Sequence, residues 1–258
     1  MPRYALKLEF DGADFCGWQR QGDLPTIQKV IEEAAAPLNR GEMPTATAAG
    51  RTDSGVHAEA MVVDLALAIE LEPRRISDAI NIRTLPHPIV ATAAACVADD
   101  WSARFACTGR AYRYHILNRP SRPGLEARRV WHVKRQLDAG AMHAAAQMLL
   151  GQHDFSAFRA ASCQAKSALR TLDRLDVARI GDTIEISVAA RSFLHHQVRN
   201  LVGTLAEIGA GRRPVNWART VLEGRDRTKA GQTAPPDGLT FVAARYEPEP
   251  DWTGGWRA

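Results

Sequence analysis

In the first half of the chain, segments with apolar residues at strand spacing are interspersed with segments at helical spacing. The order of these segments constrains the fold more than any other feature of the sequence. From Arg3 to Phe10 every second residue is apolar, so these side chains share one face and predict a strand. Residues 61–69 alternate in the same way and predict another strand, and further strands are predicted at 43–49 and 89–97. Helical spacing predicts a helix at 26–38, and Pro73 begins a second predicted helix at 73–82. The resulting order, β-α-β-β-α-β, is typical of an α+β domain.

The second half of the chain repeats this mixture of elements. Strands are predicted at 110–117, at 169–179 and 183–190 around a Gly181-Asp182 turn, and at 239–246; helices are predicted at 138–150, 193–208 and 214–222. We therefore expect two α+β domains, residues 1–105 and 106–258, with the seam between Trp101 and Gly109.

The chain has the composition of an ordinary globular protein, with 45% hydrophobic and 24% charged residues among 258. The N-terminus lacks the continuous apolar region of a signal peptide. The longest apolar run, Ile89 to Ala98, is too short for a bilayer, which takes roughly 20 residues. These features predict a cytoplasmic protein that does not enter a membrane.

Sequence spacing argues against metal, hydride and phosphoryl-transfer chemistry. The four cysteines (Cys16, Cys96, Cys107 and Cys163) form no C-x-x-C pair, and no H-E-x-x-H motif occurs. His57, His195 and His196 are therefore read as structural or solvated rather than as metal ligands. P-loop and Rossmann glycine patterns are absent too, so the sequence gives no support for hydride or phosphoryl transfer.

The charge permits an anionic partner without requiring one. Net charge is +4, the pI is about 9.0, and nearly all the positive charge is arginine. Arginine binds phosphate bidentately and stacks on bases, but a bias toward arginine codons in a GC-rich genome gives the same composition. Composition alone leaves both explanations open.

The segment Gly50-Arg51-Thr52-Asp53-Ser54-Gly55-Val56-His57, between two predicted strands, is the first candidate site. Thr-Asp-Ser-Gly is good turn chemistry, and a plain turn is one interpretation. Arg51 supports another, because a nearby guanidinium keeps Asp53 ionised and an ionised carboxylate can act as nucleophile or base.

Aromatic side chains lie near arginines in several other segments, which suits RNA because bases stack on the rings and phosphates pair with the guanidinium groups. A mixed core and surface explains the same pattern. Arg199 stands within the most apolar predicted helix, between Val198 and Leu201. It either faces solvent or, if it points inward, needs an anionic partner.

Seven segments link these features: FCGWQRQ, GRTDSGVHA, SARF, YRY, HDFSAF, FLHHQVRNLVG and APPDGL. Together they resemble the tRNA pseudouridine synthase A family, from about Arg3 to Tyr246. The resemblance implies two ferredoxin-like (RRM-like) α+β domains whose antiparallel sheets meet around a central basic cleft. Two departures stand out: Ser54, where many relatives have alanine, and Arg83, an added charge with no assigned role.

The resemblance also implies a role for each of five residues. Asp53 matches the catalytic aspartate, and Arg51 the arginine that helps to turn the target nucleotide out of the RNA stack. Tyr112 matches the tyrosine that stacks under the target uracil, and Phe193 an apolar residue beside that base. Arg199 matches the arginine that pairs with the catalytic carboxylate, which would supply the partner that its apolar setting demands.

On these motifs, the implied activity is isomerisation of uridine to pseudouridine at positions 38, 39 and 40 of the tRNA anticodon stem-loop. The implied partners are tRNA and a second copy of the chain in a homodimer, with no cofactor. Two alternatives stay open: an RRM-like RNA-binding protein without activity, and a hydrolase that uses Asp53 with a second acid such as Asp154.

Overall fold

The computed structural model describes residues 1–252 and divides by backbone contacts into two compact units. Unit 1 contains Met1–Thr108 together with the described residues from Phe241 onward, and unit 2 contains Gly109–Thr240. These units differ from the expected ranges 1–105 and 106–258 mainly in residues 241–252, which belong to unit 1. The chain from residue 253 onward lies outside the described residues.

Unit 1 is built on an antiparallel sheet with two helices. Its elements are β1 (Arg3–Phe10), α1 (Ile27–Ala35), β2 (Thr47–Ala48), β3 (His57–Ala66), α2 (Pro73–Thr84), β4 (Ile89–Val97) and the final strand, which is numbered β10 below. Strand β1 lies between β4 and β3 and is antiparallel to both. The short β2 pairs with β3, as does β10 (Leu239–Arg245).

Unit 2 contains five complete strands and three α-helices. Its elements are β5 (Gly109–Leu117), β6 (Trp131–His132), α3 (Ala139–Gln147), β7 (Gly151–Asp154), β8 (Leu169–Ile180), β9 (Thr183–Ala190), α4 (Gln197–Gly209) and α5 (Trp217–Gly224). The strand order β5-β9-β8-β7 is antiparallel throughout, and β6 runs parallel to β5. The predicted α+β class is therefore confirmed at this level.

Local sequence chemistry accounts for several element boundaries. The Thr26 hydroxyl accepts a hydrogen bond from Lys29 N–H at 3.4 Å and caps α1. Asp138 caps α3 in the same way, accepting from Ala141 N–H at 2.9 Å. Gly181 has φ +59°, the left-handed geometry that a tight β8–β9 turn requires.

Several elements differ from their predicted bounds by a few residues. The strand predicted at 43–49 shrinks to Thr47–Ala48, β3 begins at His57 rather than Met61, α4 begins at Gln197 rather than Phe193, and α5 begins at Trp217 rather than Pro214. In α4 the cause is His196, whose φ of +60° breaks the helical path immediately before Gln197. Phe193 and its neighbours therefore form an irregular lead-in to the helix.

Buried side chains on one face of β1 anchor the core of unit 1, where Tyr4, Leu6 and Leu8 are fully buried. In unit 2, Tyr114 of β5 is fully buried, as are Leu201 and Leu205 of α4. Across residues 1–252, every helix is too short or too polar to traverse a bilayer.

Candidate active site

The Asp53 loop, residues 49–56, connects β2 to β3 in unit 1. The side chains of Arg51 and Ser54 are exposed, Asp53 is half-buried, and Thr52 is buried. The loop thus presents one carboxylate at its surface while its backbone is anchored below. This arrangement suits a group that must meet a large substrate.

A second segment of unit 1, residues 11–18, holds the Asp53 loop on both sides of the aspartate. Trp18 N–H donates to Thr52 O at 3.1 Å, and Gly55 N–H donates to Phe15 O at 3.2 Å. The Ser54 hydroxyl also donates to Phe15 O, at 3.1 Å. These bonds give Ser54 a defined role, because alanine at that position would lack the third hydrogen bond.

Two glycines allow the backbones of these segments to approach so closely. A Cβ on Gly12 would lie 1.9 Å from Val56 O, and a Cβ on Gly17 would lie 2.6 Å from Thr52 O. Gly17 also has φ +84°, which other residues rarely adopt. Contact at this distance therefore depends on glycine at both positions.

A buried polar network supports the far end of the same segment. Glu32 of α1 is fully buried; its Oε1 accepts from Gln28 Nε2 at 2.8 Å and from Ala46 N–H at 3.0 Å. Its Oε2 lies 3.0 Å from a guanidinium nitrogen of Arg20. Gln28 Oε1 accepts from Arg20 N–H at 2.9 Å, so α1 fixes the chain just after Trp18.

Below the Asp53 loop, His57 is buried at the start of β3. Its Nδ1 accepts from Gly12 N–H at 3.2 Å and lies 3.0 Å from Asp11 Oδ1. His57 therefore contributes to the contact between the two loop segments.

In unit 2, Tyr112 and Phe193 form an aromatic pair. Tyr112 lies on β5, and Phe193 lies in the lead-in to α4. Their ring centroids are 5.2 Å apart and the planes are nearly perpendicular at 89°. Tyr112 is 9% exposed, so packing against Phe193 defines its ring orientation.

Arg199 is on the first turn of α4 and is half-buried. Its Nε donates to Ala234 O at 2.7 Å, while its own carbonyl accepts from Ala234 N–H at 3.1 Å. Arg199 also acts on Tyr114, whose hydroxyl donates to Pro235 O at 2.8 Å. Burial raises the pKa of Tyr114 far above its ordinary value, and the positive charge of Arg199 opposes this only in part.

Asp154, the second acid of the hydrolase alternative, is engaged locally in unit 2. The hydroxyl and the backbone N–H of Ser156 both donate to Asp154 Oδ1, at 2.6 and 2.9 Å. These bonds hold the pKa of Asp154 below its ordinary value. A carboxyl group with a lowered pKa is a poor general acid near neutral pH, which weakens that alternative.

Arg83 lies at the C-terminal end of α2. Its Nη1 donates to Ala79 O at 2.9 Å, and the side chain is exposed. A cation there compensates the negative end of the helix dipole. This role at the end of α2 accounts for the added charge of Arg83, with no function in the active site required.

The sequence did not reveal a polar cluster beside Arg199. Asn200 is fully buried on α4. It forms hydrogen bonds with Arg227 and Thr233, which lie in the loop after α5. The available signal was an Asn inside a strongly apolar helix, since a buried amide needs partners. The partners could not be found because they lie 27 and 33 residues further along the chain.

Comparison with known proteins identifies the chain's family. The tRNA pseudouridine synthase A of Acidiphilium cryptum (strain JF-5) is 55% identical over 97% of this chain and 98% of its own. The chain belongs to the tRNA pseudouridine synthase A family. The enzymes of the same name from Gluconobacter oxydans (strain 621H) and Rhodospirillum centenum (strain ATCC 51521 / SW) are 49% and 52% identical, covering 96% and 95% of this chain and 91% and 100% of their own.

A model of the family described as tRNA pseudouridine synthase matches residues 145–247 of this tRNA pseudouridine synthase A family member. That range includes Phe193, Arg199 and the loop that contacts α4. The Asp53 loop lies outside it, within the regions covered by the full-length relatives. Membership confirms the family resemblance read from the seven sequence segments.

Proposed function

We propose that this chain isomerises uridine to pseudouridine at positions 38, 39 and 40 of the tRNA anticodon stem-loop. The observation that carries the proposal is the Asp53 loop, a surface carboxylate clamped by segment 11–18 in a chain with 55% identity to a relative named tRNA pseudouridine synthase A. An RNA-binding protein without activity has no use for a fixed carboxylate, which repels phosphate.

For the fold, we propose two ferredoxin-like domains around a basic cleft. Unit 1 supports this with the element order β1-α1-β2-β3-α2-β4 and the antiparallel strand order β4-β1-β3, with β2 on β3. Unit 2 supports it with a β5-α3 start, a β8–β9 hairpin and the helix α4 that follows. The net charge of +4, carried mostly by arginine, suits a cleft that binds RNA.

The reaction places simple demands on the protein. The bond from uracil N1 to ribose C1′ breaks, the base turns, and a bond from C5 to C1′ forms. The C5 proton leaves to solvent and N1 takes up a proton, so the product is an isomer of the substrate. Since atoms and electrons balance within the nucleotide and solvent, the proposal needs no cofactor. The target uracil must first leave the RNA stack.

Arg51 and Tyr112 meet this first demand in the proposal. Arg51 is exposed on the Asp53 loop, where its guanidinium can take the place of the extruded nucleotide or hold its phosphate. Tyr112 offers a ring face for the uracil, and Phe193 stabilises that ring edge-on at 5.2 Å.

Asp53 supplies the chemistry. Three routes are open to its carboxylate: attack at C6 of uracil, attack at C1′ of ribose, or removal of a ribose proton to give a glycal. In each of them the group must be ionised at the start. We propose that Arg199 pairs with Asp53 to keep it charged and aimed, with Tyr112 or water assisting transfer of the C5 proton.

The proposal includes a cytoplasmic homodimer that binds tRNA across both copies. Relatives named tRNA pseudouridine synthase A support the tRNA substrate. The dimer rests on the family resemblance, and the compartment rests on the sequence pattern described above.

The test uses a tRNA transcript with tritium at C5 of uracil and no added cofactor. We expect release of tritium to water and pseudouridine at positions 38, 39 and 40 when the product is sequenced. Matched transcripts with cytidine at all three positions should release none. Release of free uracil would identify a hydrolase instead, and tight binding without tritium release would identify an RNA-binding protein.

A further inference from the structure

A loop that follows α5 lies directly on α4 and is tied to it by one arginine. Arg227 begins a short 3-10 helix in unit 2 and is half-buried. Its Nη1 donates to Gly231 O at 2.9 Å, and its Nη2 donates to Asn200 Oδ1 at 3.0 Å and Thr233 Oγ1 at 2.9 Å. One guanidinium therefore joins α4 to two points of the loop.

The acceptors of Arg227 are neutral oxygens. The contact therefore depends on the directions of its hydrogen bonds rather than on neutralisation of charge. Asn200 is held on its other side, since its Nδ2 donates to Phe158 O at 2.8 Å. Thr233 Oγ1 donates to Asn200 Oδ1 at 2.7 Å. A planar guanidinium fits such a fixed set of acceptors, whereas a lysine ammonium does not reproduce its fork.

Close backbone packing leaves the loop little freedom on α4. A Cβ on Gly203 would lie 1.7 Å from Gln232 O, and a Cβ on Gly231 would lie 2.6 Å from Gly203 O. Gly231 N–H also donates to Thr204 Oγ1 at 3.1 Å. Because the backbones of the loop and α4 are in direct contact at Gly203 and Gly231, the hydrogen bonds of Arg227 determine where residues 233–234 lie.

The next residues hold Arg199. Ala234 O, one residue after Thr233, accepts from Arg199 Nε at 2.7 Å. Arg199 and Asn200 are neighbours on α4, so Thr233 and Ala234 contact the same helical turn. A shift of Thr233 would move the acceptor that orients the Arg199 guanidinium.

We propose that Arg227 is a positioning residue that fixes loop 231–235 against α4 and so orients the guanidinium of Arg199 for its role in uridine isomerisation. The inference rests on the proposed function. Arg227 itself need not touch tRNA, because its donors point into the protein contacts described above.

The experiment measures single-turnover tritium release for Arg227→Met and Arg227→Lys at saturating tRNA, together with tRNA affinity. We expect both variants to lose at least about tenfold in rate with affinity within twofold of wild type, since misaiming a catalytic group costs rate rather than binding. Lys229→Met removes an exposed charge from the same short helix and is the matched control; its rate should equal that of wild type.

A double-mutant cycle separates positioning from a purely structural role. Arg199→Lys keeps the charge but removes the Nε–H that bonds Ala234 O. In that background we expect Arg227→Met to cause no further loss, because the contact it preserves is already gone. Equal losses in both backgrounds would overturn the inference, as would a wild-type rate for Arg227→Met. Asp53→Ala, run in parallel, tests the proposed function separately: if it stays active, that function fails whatever Arg227 does.

Discussion

At the scale of single residues, the catalytic proposal depends on Asp53 being ionised, accessible and fixed in place. Hydrogen bonds at Thr52, Ser54 and Gly55 fix the backbone on both sides of Asp53. A carboxylate on a fixed backbone needs little reorganisation to meet its substrate, as in preorganised active sites.

The aromatic pair makes a separate prediction at the same scale. Phe193→Ala removes the edge contact that orients the Tyr112 ring, so the uracil platform should become less ordered. We expect single-turnover rate to fall by about tenfold, while Phe193→Leu, which keeps apolar bulk, should fall less. Tritium release measures both, and equal rates for wild type and Phe193→Ala would contradict the platform role.

Asp154 predicts a pH dependence of stability. Because Ser156 lowers its folded-state pKa below the ordinary 3.8, the ionised form stabilises the fold. This stabilisation is complete well above pH 3.8 and is lost as pH falls through the lower folded-state pKa. We expect the melting temperature of Asp154→Asn to fall less than that of wild type on acidification over this range. Parallel curves in thermal denaturation would contradict this.

At the scale of elements, the contact between segment 11–18 and the Asp53 loop holds that loop in position within unit 1. Gly17→Ala would place a Cβ against Thr52 O and strain a φ of +84°. We expect a clear loss of tritium-release rate because the Asp53 loop must shift. The matched control is Gly22→Ala, which also has positive φ (+50°) but meets nothing within 4 Å.

If both glycine variants lost activity equally, backbone strain rather than the loop contact would be responsible. If neither lost activity, the position of the Asp53 loop would not depend on segment 11–18.

The Glu32 network predicts a stability difference within one helix. Glu32→Gln removes the charge that faces Arg20 and turns one buried acceptor into a donor, which we expect to cost about 2 kcal/mol. Glu33→Gln, on the adjacent exposed position of α1, should change stability by less than about 0.5 kcal/mol. Urea denaturation of both variants measures the difference, and similar midpoints would contradict the role of the network.

Local pattern predicted the elements well where the cause is local. The bounds of β1 follow from alternation and those of β4 from a bounded apolar run, and Thr26 and Asp138 cap helices as their residue types suggest. Helical spacing placed the start of α4 too early, because the apolar residues from Phe193 onward fit a helix while His196 leaves the helical region.

The candidate site divides in the same way. Turn chemistry made Asp53 and Arg51 candidates, and the apolar helix did the same for Arg199. The roles of these residues, and of Tyr112 and Phe193, come from the family resemblance and stay predictions. Their supports were not predicted, because Phe15 O meets Gly55 and Ala234 O meets Arg199 across 40 and 35 residues of chain. Such long-range backbone contacts leave no periodic trace in a sequence.

At the scale of the whole molecule, an arginine-rich chain of net charge +4 should bind tRNA largely through phosphate contacts. We expect the association constant to fall linearly with salt on a double-logarithmic plot. Arg51→Ala should reduce the slope by about one phosphate contact if it holds the backbone of the extruded nucleotide. Filter binding across a salt series measures this, and an unchanged slope would mean that Arg51 acts on the base instead.

The most direct test of the catalytic account is tritium release by Asp53→Asn, which keeps the size of the side chain and removes its charge. The account predicts that release falls to background while tRNA binds with nearly wild-type affinity and the melting temperature is unchanged. Near-normal release from this variant would contradict the account, because the isomerisation would then proceed without the carboxylate.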